Sequence, residues 1–451
     1  MPVPNDDQEQ LLNLLPCLDI PSSFSKPDAE ADGAISSLQE WKRQAELKLN
    51  QLRELLSRTT TDTVNAGENP ELPLDKQAEV VARVAAFDGE GTWVTPGSRA
   101  AAIDILKTYD ATSVPLLRQI LSKHVKPIFQ ANPHPYVNLS TGRKLARAAG
   151  GPLAAQDYYE SQTWKTHPGL PNLVSWCIRN IKTESWEDLW HLIVPPLMTL
   201  LDDYEASYKK CGAELVLQML NSVPRSVLQR TGIGSLLRTS LSNALTQLKR
   251  EDSPALIRAA IPASLKLTLH TTDPGSMERF DQLCALLGDG IIGSIWLYSS
   301  LDLPALQASV DALPPVLDAL GIGCVRYLKA LVPQLVYPLL PSSPLDRSWQ
   351  IASLRALGCV IDLCAPRMHR WKGRVIEGVG KAWVASLDAG STDEQTLLLQ
   401  SELIVICQKL AKACPSVVKE EYAALLAAEH DVFEELLSDI VSQPQCKAQS
   451  S

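Results

Sequence analysis

The sequence lacks most features that mark a secreted, membrane-spanning or nucleic-acid-binding protein. Its first residues, MPVPNDDQEQ, have neither the basic start nor the apolar run of a signal peptide. Its most apolar stretches, such as LIVPPLMTLL, are too short for a membrane span and contain proline or polar residues. A formal net charge of −9 and a pI near 5.4 differ from the basic excess typical of a nucleic-acid binder. We therefore expect a soluble chain with no membrane and no nucleic acid among its partners.

Cysteine patterns that would indicate disulfides or metal are also missing. The 10 cysteines are scattered and none of them form CxxC. Most lie inside apolar helical patterns such as CVIDLC and LIVICQKL, where cysteine behaves as a small core residue. This usage favours reduced thiols, and so a cytoplasmic or nuclear protein rather than a secreted one.

Motifs for catalysis are present only as fragments without their structural context. GDGIIG at 288–293 matches the GxGxxG fingerprint, but it follows the helical pattern RFDQLCALL with no βαβ unit around it. We interpret it as a helix end and a tight turn. Ser207 and Lys210 form an SxxK pair without its companion motifs, and the 7 histidines include no HExxH arrangement. We predict no catalytic residue, no metal, no cofactor and hence no enzyme activity.

The sequence does have helical periodicity over most of its length. From Leu74 to about Val441, segments such as TLLLQSELIVICQKLAKA repeat apolar residues at i, i+3, i+4 and i+7, and no long run alternates with period two. Several helical patterns end at a proline, which cannot continue a helix, at intervals of roughly 50 residues or a multiple of it. These prolines are Pro224, Pro274, Pro366 and Pro415. The pattern predicts an all-α fold, an α-solenoid of degenerate HEAT-like helix pairs.

Composition divides the chain into this solenoid and its flanking segments. Residues 1–32 form a polar N-terminal tail, whose apolar patch LLNLLPCL suits a docking peptide or a first helix. Residues 33–58 predict an amphipathic helix that either packs on its own domain or makes a coiled-coil contact with a partner. The remaining predicted segments are a linker at 59–76, the solenoid at 77–441 with a long loop or insertion at about 130–172, and a disordered C-terminal tail at 442–451.

Two prolines lie inside the helical pattern of residues 186–219. Pro195 and Pro196 are expected to bend or interrupt the first helix, because proline removes a backbone donor and clashes with the preceding turn. Gly212 in the second helix would allow a neighbouring helix to approach closely, at some cost in helix propensity. The segment is therefore predicted to be one structural repeat unit with a turn between its helices.

Two aspartates stand at that turn. Asp202 or Asp203 is predicted to cap the second helix, and Asp202 and Glu205 have the spacing of a capping box. A similar layout recurs at 331–366, where Asp346 follows VPQLVYPLL and precedes SWQIASLRALGCVIDLCAP. Because one layout appears twice, the aspartates are interpreted as structural and not as paired catalytic acids.

The long loop at 130–172 is the strongest candidate for a functional surface. It combines basic residues with aromatic ones, which is the composition of energetic hot spots in interfaces. The residues predicted to contact a partner are Arg143, Tyr158, Tyr159 and Trp164. The alternative is that the aromatic side chains are buried and hold the loop on the solenoid.

Three stretches resemble a known family. They are WEDLW at 186–190 with the following PP, LLDDYE and YKKCG; QDYYESQTWK at 156–165; and LGIGCVRYLKALVPQL at 320–335. Over about 90–430 the chain is similar to the Tti-two family, the smaller Tel-two-interacting subunit of the TTT co-chaperone complex (Tel-two, Tti-one and Tti-two).

The resemblance implies a non-catalytic scaffold subunit that works with Tel-two-like and Tti-one-like subunits. It further implies that the complex stabilises and helps mature phosphatidylinositol-3-kinase-related kinases of the TOR, ATM and ATR types, with the ninety-kilodalton heat-shock chaperone machinery acting indirectly. Telomere maintenance, the DNA damage response and TOR signalling would be the processes concerned. Another HEAT-repeat adaptor, such as a nuclear-transport receptor or a phosphatase scaffold, fits the helical periodicity equally well.

Overall fold

Regular secondary structure in the computed structural model is helical. An isolated antiparallel bridge between Val137 and Lys144 is the only β pairing within the part of the chain that the structure describes. The predicted all-α fold of HEAT-like helix pairs, an α-solenoid, is confirmed. The described residues are 10–11, 13–25, 32–66, 72–109, 112–131, 133–149, 162–299, 302–342, 346–390 and 393–441.

The chain forms two compact units, of which the first is Met1–Leu241. Within it α1 packs on α3, α2 on α4, and α8 on both α6 and α7. Short 3-10 helices and a π-helical turn at Leu121–Val125 connect these elements. The α-helices are α1 (Asp32–Ala66), α2 (Leu74–Val84), α3 (Pro96–Lys107), α4 (Val114–Ile120), α5 (Lys126–Gln130), α6 (Leu170–Asn180), α7 (Trp186–Leu201), α8 (Ala206–Met219), α9 (Arg225–Thr231) and α10 (Ile233–Ala244), whose last residues belong to the second unit.

The N-terminal helix is longer than predicted and packs on its own unit. Helix α1 continues through residues 59–66, which were expected to be linker, because neither proline nor glycine interrupts TTTDTVNA and threonine costs only a few tenths of a kcal/mol of helix propensity. Its Leu49 and Leu52 are buried. The 3-10 helix Leu15–Leu18 packs against α1 and α2, so this part of the expected polar tail belongs to the core. The expected linker residues 67–71 and the C-terminal tail 442–451 lie outside the described residues.

The prolines of α7 do not interrupt it. The helix runs from Trp186 to Leu201 with Pro195 and Pro196 inside, so of the two expected outcomes, a bend or an interruption, the interruption does not occur. Proline cannot donate a hydrogen bond to the carbonyl four residues earlier, so these two positions cost backbone hydrogen bonds. Nearly every residue of α7 is buried, and a helix that is apolar all round is stabilised by packing on several sides. Tertiary packing therefore offsets the loss in local helix stability.

The second unit, Ser242–Ser451, is a two-layered stack. In one layer α11, α13, α16, α18 and α20 contact one another in this order, while α15 and α17 pack together in the other. Ion pairs from Arg355 to Glu402 and from Asp362 to Lys409 show that α16 and α18 run parallel, as the first helices of successive pairs do. The α-helices are α11 (Ser253–Thr271), α12 (Met277–Cys284), α13 (Leu303–Asp311), α14 (Leu313–Leu320), α15 (Leu328–Val336), α16 (Arg347–Leu363), α17 (Lys372–Asp388), α18 (Glu394–Ala413), α19 (Ala423–Ala428) and α20 (His430–Val441).

The GDGIIG stretch lies inside a helix, so its interpretation as a helix end and a tight turn was wrong. A π-helical segment, Ala285–Trp296, continues α12 without a break. Glycine is used there for packing, because a Cβ added to Gly288 would lie 2.9 Å from ring carbon Cε1 of Tyr327. The Tyr327 hydroxyl donates a hydrogen bond to the carbonyl of Cys284 at 3.2 Å. The stretch therefore makes a helix-to-helix contact and has no strand before it.

The described cysteines are free thiols, and several are fully buried. Burial raises the pKa of Cys364 to about 11 and the pKa values of Cys324 and Cys407 to about 12. Because the thiolate is the reactive form, these cysteines act as small core residues.

No single described helix has both the length and the apolar character needed to cross a membrane. One bent pair, Leu303–Asp311 with Leu313–Leu339, meets the criterion by length and composition only.

Candidate functional site

A tight turn at residues 138–143 lies within the described part of the long loop. The Asn138 side-chain oxygen accepts hydrogen bonds from the backbone N–H groups of Ser140 and Thr141, at 3.0 and 3.1 Å. Gly142 has a φ of 63°, which glycine adopts without strain, and its N–H donates to the Asn138 carbonyl at 2.8 Å. The Asn138 N–H in turn donates to the carbonyl of Arg143 at 2.9 Å. The chain thus folds back so that Arg143 follows a well-defined turn.

This turn is held on the helical scaffold by hydrogen bonds to two helical regions. The indole N–H of Trp190 in α7 donates to the Gly142 carbonyl at 2.9 Å. The Lys144 N–H donates to the Thr231 carbonyl at 3.0 Å, and its ammonium group donates to Ser235 Oγ at 2.9 Å. Residues 137–144 therefore form a hairpin, named here the 137–144 hairpin. Its position is set by the Trp190 side chain of α7, the Thr231 backbone carbonyl of α9 and the Ser235 side chain of α10.

Exposed basic and aromatic residues lie on and beside the hairpin. Arg143 and Arg147 are exposed, and Tyr136 is 45% exposed. Exposed arginine beside exposed tyrosine has the composition of an interface hot spot. Sequence reasoning missed Tyr136, because nothing in HPYVN shows that Val137 points inward and Tyr136 outward. Only the pairing of Val137 with Lys144 settles that orientation.

Trp164 does not belong to the exposed surface, which corrects the expectation that it would be an exposed anchor. It is 1% exposed, stacks on Phe129 with 5.8 Å between ring centroids, and meets the edge of Tyr208 at 4.7 Å. A buried tryptophan contributes a large apolar contact area, so Trp164 holds its segment on α5 and α8. The two other predicted contact residues, Tyr158 and Tyr159, lie outside the described residues.

Asp203 forms an ion pair and does not cap α8, so the capping prediction was wrong for this residue. The N-cap of α8 is Glu205, which makes no side-chain capping bond. Asp203 Oδ1 accepts from the Glu205 N–H at 2.8 Å and from the Lys165 ammonium at 3.0 Å. Lys165 also contacts Glu205 Oε1 at 2.7 Å and lies 4.1 Å from the ring centroid of Tyr204. The aspartate therefore ties the segment after the long loop to the turn between α7 and α8.

Asp202, the C-cap residue of α7, connects the same turn to the beginning of the hairpin segment and likewise does not cap α8. Its Oδ2 lies 3.0 Å from His134 Nε2 and accepts from Ser240 Oγ at 3.0 Å. The other ring nitrogen of His134, Nδ1, accepts from the N–H of Tyr136 at 3.2 Å. Because Nδ1 is an acceptor, Nε2 carries the proton and donates to Asp202. This contact fixes His134, which lies two residues before Tyr136 and accepts the hydrogen bond from its N–H.

The turn between α7 and α8 contains buried charges that serve packing. Asp203 is fully buried, and burial raises its pKa, although the Glu205 N–H and Lys165 act in the opposite direction. Burial also lowers the pKa of Lys209, whose ammonium donates to the Leu201 carbonyl at 2.8 Å. Gly212 lies against the same residue, since an added Cβ would be 2.4 Å from the Leu201 backbone. These groups bind one another and the backbone, and nowhere do they present a nucleophile beside a base.

Metal binding finds no support in the described ranges. There, no group of three or more His, Cys, Asp and Glu side chains could hold a metal ion. The candidate site is therefore defined by its exposed residues: the 137–144 hairpin with its neighbours Tyr136 and Arg147 has the composition of a protein contact surface.

Comparisons with known proteins identify a matching family and similar solved structures, of which one is described here. The model of the Tti2 family matches residues 80–344, a range that contains both the hairpin and the turn at Asp202 and Asp203. A chain from the structure titled "Kap95p Binding Induces the Switch Loops of RanGDP to adopt the GTP-bound Conformation: Implications for Nuclear Import Complex Assembly Dynamics" is similar over 97% of this chain, with 12% identity and a TM-score of 0.49. This chain spans about half, 54%, of the length of that one.

Proposed function

Because this chain belongs to the Tti2 family, a family of TTT-complex subunits, we propose that it is a non-catalytic scaffold that stabilises phosphatidylinositol-3-kinase-related kinases and helps them mature. The observation that carries this proposal is the family match over 80–344, more than half of the chain. The proposed direct partners are a Tel-two-like and a Tti-one-like subunit. The proposed clients are kinases of the TOR, ATM and ATR types, with the ninety-kilodalton heat-shock chaperone machinery acting downstream. The proposed place of action is the cytoplasm and the nucleus.

The helix-pair architecture suits such a role physically. Each pair in a stacked array contacts its neighbours, so surface residues on successive pairs keep fixed relative positions within a unit. A scaffold needs this property and needs no reactive group. The buried charges around Asp203 support the same reading, because they stabilise a turn and contact no open cleft in the manner of catalytic acids.

We propose the 137–144 hairpin with Tyr136 and Arg147 as one contact surface for a partner subunit. Its turn is held by Trp190 and Thr231, so the backbone at Arg143 loses little conformational freedom on binding. Tyr158 and Tyr159 remain proposed contact residues from the sequence. Trp164 would contribute indirectly, by holding the segment that carries Lys165.

Co-purification from cells tests the proposal. Tagged wild-type chain should recover the Tel-two-like and Tti-one-like subunits and the kinases, as measured by quantitative mass spectrometry. The Arg143→Ala, Arg147→Ala variant should recover roughly tenfold less of at least one subunit, because interface arginines often cost 2 kcal/mol or more when truncated. The matched control is Lys123→Ala, Lys182→Ala, which removes two exposed cations of the same unit elsewhere. Melting temperatures of both variants are compared first.

Two results would contradict the proposal at different levels. Full recovery of partners by the folded arginine variant would show that the hairpin is not the contact surface. Recovery of transport cargo or of phosphatase catalytic subunits, without any TTT subunit or kinase, would instead favour another kind of helical-repeat adaptor. Acute depletion of the chain should also lower the steady-state amounts of the kinases, and unchanged amounts would remove the proposed stabilising role.

A further inference from the structure

A short segment of the second unit concentrates positive charge in a chain that is acidic overall. We call the 3-10 helix Ala365–Arg370 together with Trp371, which link α16 to α17, the basic turn. No acidic residue occurs between Asp362 and Glu377. The cationic residues of this interval are Arg367, Arg370, Lys372 and Arg374. The formal net charge of the whole chain is −9, so the net charge of this interval is opposite in sign to that of the whole chain.

The carboxylates nearest to this interval already have cationic partners. The ion pairs are Lys372 with Glu420 and Glu421, Arg374 with Glu377, and Lys409 with Asp362. Arg367 and Arg370 are exposed and form no ion pair with any residue that the structure describes. Each of the two guanidinium groups therefore keeps its hydrogen-bond donors available to a partner.

The geometry of the turn places these two arginines on one side. Side chains at i and i+3 of a 3-10 helix eclipse one another, and a rise of about 2.0 Å per residue separates them by about 6 Å along the axis. In an extended peptide, side chains at i and i+2 lie on the same face about 6.6 Å apart. Each guanidinium can hold one carboxylate through two parallel hydrogen bonds. The half-buried Trp371, which follows Arg370 in the sequence, adds an aromatic surface beside the two arginines.

We propose that the basic turn binds an extended acidic segment of a protein partner, with carboxylates at alternate positions in contact with Arg367 and Arg370. A separation of about 6 Å along the axis matches the spacing of two successive carboxylates on one face of an extended peptide. An anionic membrane is an extended surface that would also face acidic parts of the chain, whereas a short acidic peptide contacts the basic turn alone. The inference goes beyond the proposed function and does not depend on it, because its test uses the purified full-length chain and a synthetic peptide.

Fluorescence anisotropy with a short fluorescein-labelled peptide, in which Glu and Ser alternate, tests the proposal. The wild-type chain should bind it, with weaker binding as salt rises. Arg367→Gln, Arg370→Gln should lower the affinity roughly tenfold or more, since hydrogen bonds to charged groups are the strong ones. The matched control is Arg374→Gln, Lys381→Gln, which changes the net charge equally on residues that already pair with Glu377 and should alter affinity less than about twofold.

Peptide controls test the spacing and the chemistry. A peptide with Gln in place of Glu should not bind, and a peptide with Glu at every third position should bind more weakly than the alternating one. The proposal is overturned if the wild-type chain does not bind the alternating peptide at low salt, or if the control variant loses as much affinity as the arginine variant. Preference for a phosphoserine peptide or for phosphatidylserine vesicles would overturn it too.

A second variant covers the case in which the glutamine variant does not fold, as judged by circular dichroism melting. Arg367→Lys, Arg370→Lys keeps both charges but removes the planar fork that holds a carboxylate at two points. We expect this variant to bind the alternating peptide more weakly than wild type does. Equal affinity would overturn the assigned geometry.

Discussion

At the scale of single residues, Asp203 in the turn between α7 and α8 has a different role from the one that its position in the sequence predicts. Aspartate before a helix usually caps it, by accepting from a backbone N–H two or three residues ahead within the helix. Asp203 instead accepts from the N–H of Glu205, which is the N-cap itself, and pairs with Lys165. Lys165 is 38 residues away in sequence from Asp203, so no local pattern could predict this contact.

The first prediction at this scale separates the charge of Asp203 from its hydrogen bond to Glu205. Asp203→Ala should lower the free energy of unfolding by about 1–3 kcal/mol, because it leaves a buried N–H without its acceptor. Asp203→Asn keeps the acceptor and removes a carboxylate whose pKa burial raises, so it should cost less than the alanine change. Urea denaturation of the two variants measures the difference. An equal loss in both would mean that the ion pair with Lys165 dominates.

At the scale of elements, the crossing of α7 and α8 depends on Gly212. An added Cβ would lie 2.4 Å from the backbone of Leu201, and a neighbouring backbone cannot move aside as a flexible side chain can. The segment with the same sequence layout at 331–366 uses different contacts. There Asp346 does cap α16, accepting from the Trp349 N–H at 3.0 Å. One sequence layout therefore supports two kinds of turn, and the tertiary surroundings decide between them.

The element-scale prediction concerns Gly212→Ala. Alanine is the better helix former by about 1 kcal/mol, yet we expect a net loss of about 1–3 kcal/mol because the methyl group overlaps α7. The matched control is Gly373→Ala in α17, where an added Cβ meets nothing within 4 Å, and it should be neutral or stabilising by about 0.5 kcal/mol. Thermal melting of both variants provides the test. A stabilised Gly212 variant would show that the two helices can separate at little cost.

At the scale of the whole molecule, partly buried histidines influence how stability depends on pH. Burial lowers the pKa of His124, with Arg83 acting in the same direction and Glu79 against it. Burial lowers the pKa of His191 as well, helped by Lys126 and Arg118. A histidine whose pKa is lowered by folding binds protons more tightly in the unfolded chain. Its contribution to stability is therefore present above its ordinary pKa of 6.5 and is lost as pH falls through the folded-state value.

We accordingly predict that the melting temperature falls as pH is lowered from 7 towards 5, and that His124→Gln, His191→Gln makes this fall shallower. Asp203 contributes with the opposite sign: its raised pKa favours the fold below the ordinary value of 3.8, and that contribution is lost as pH rises through the folded-state value. The exposed Gln395→Ala change, which removes no titratable group, serves as the control and should leave the slope unchanged. Calorimetry across this pH range gives the measurement. An identical slope in the double variant and the wild type would contradict the assignment.

The all-α fold and four of its helix ends could be predicted from the sequence, because an amphipathic helix repeats its apolar residues with a local period and a proline beyond the last turn stops it locally. The patterns before Pro224, Pro274, Pro366 and Pro415 end in helices that stop at Met219, Thr271, Leu363 and Ala413. The stretches that resemble a family are local too, and the match over 80–344 confirms the family they indicated.

Only the tertiary structure decided which polar and aromatic side chains meet. Trp164 is buried because Phe129 and Tyr208 surround it, and the 137–144 hairpin has its position because Trp190 reaches Gly142. The helix through Pro195 and Pro196 stays intact because packing compensates for its missing hydrogen bonds. These contacts join residues far apart in sequence, and their free energies arise from burial and desolvation, which exist only once the chain has folded.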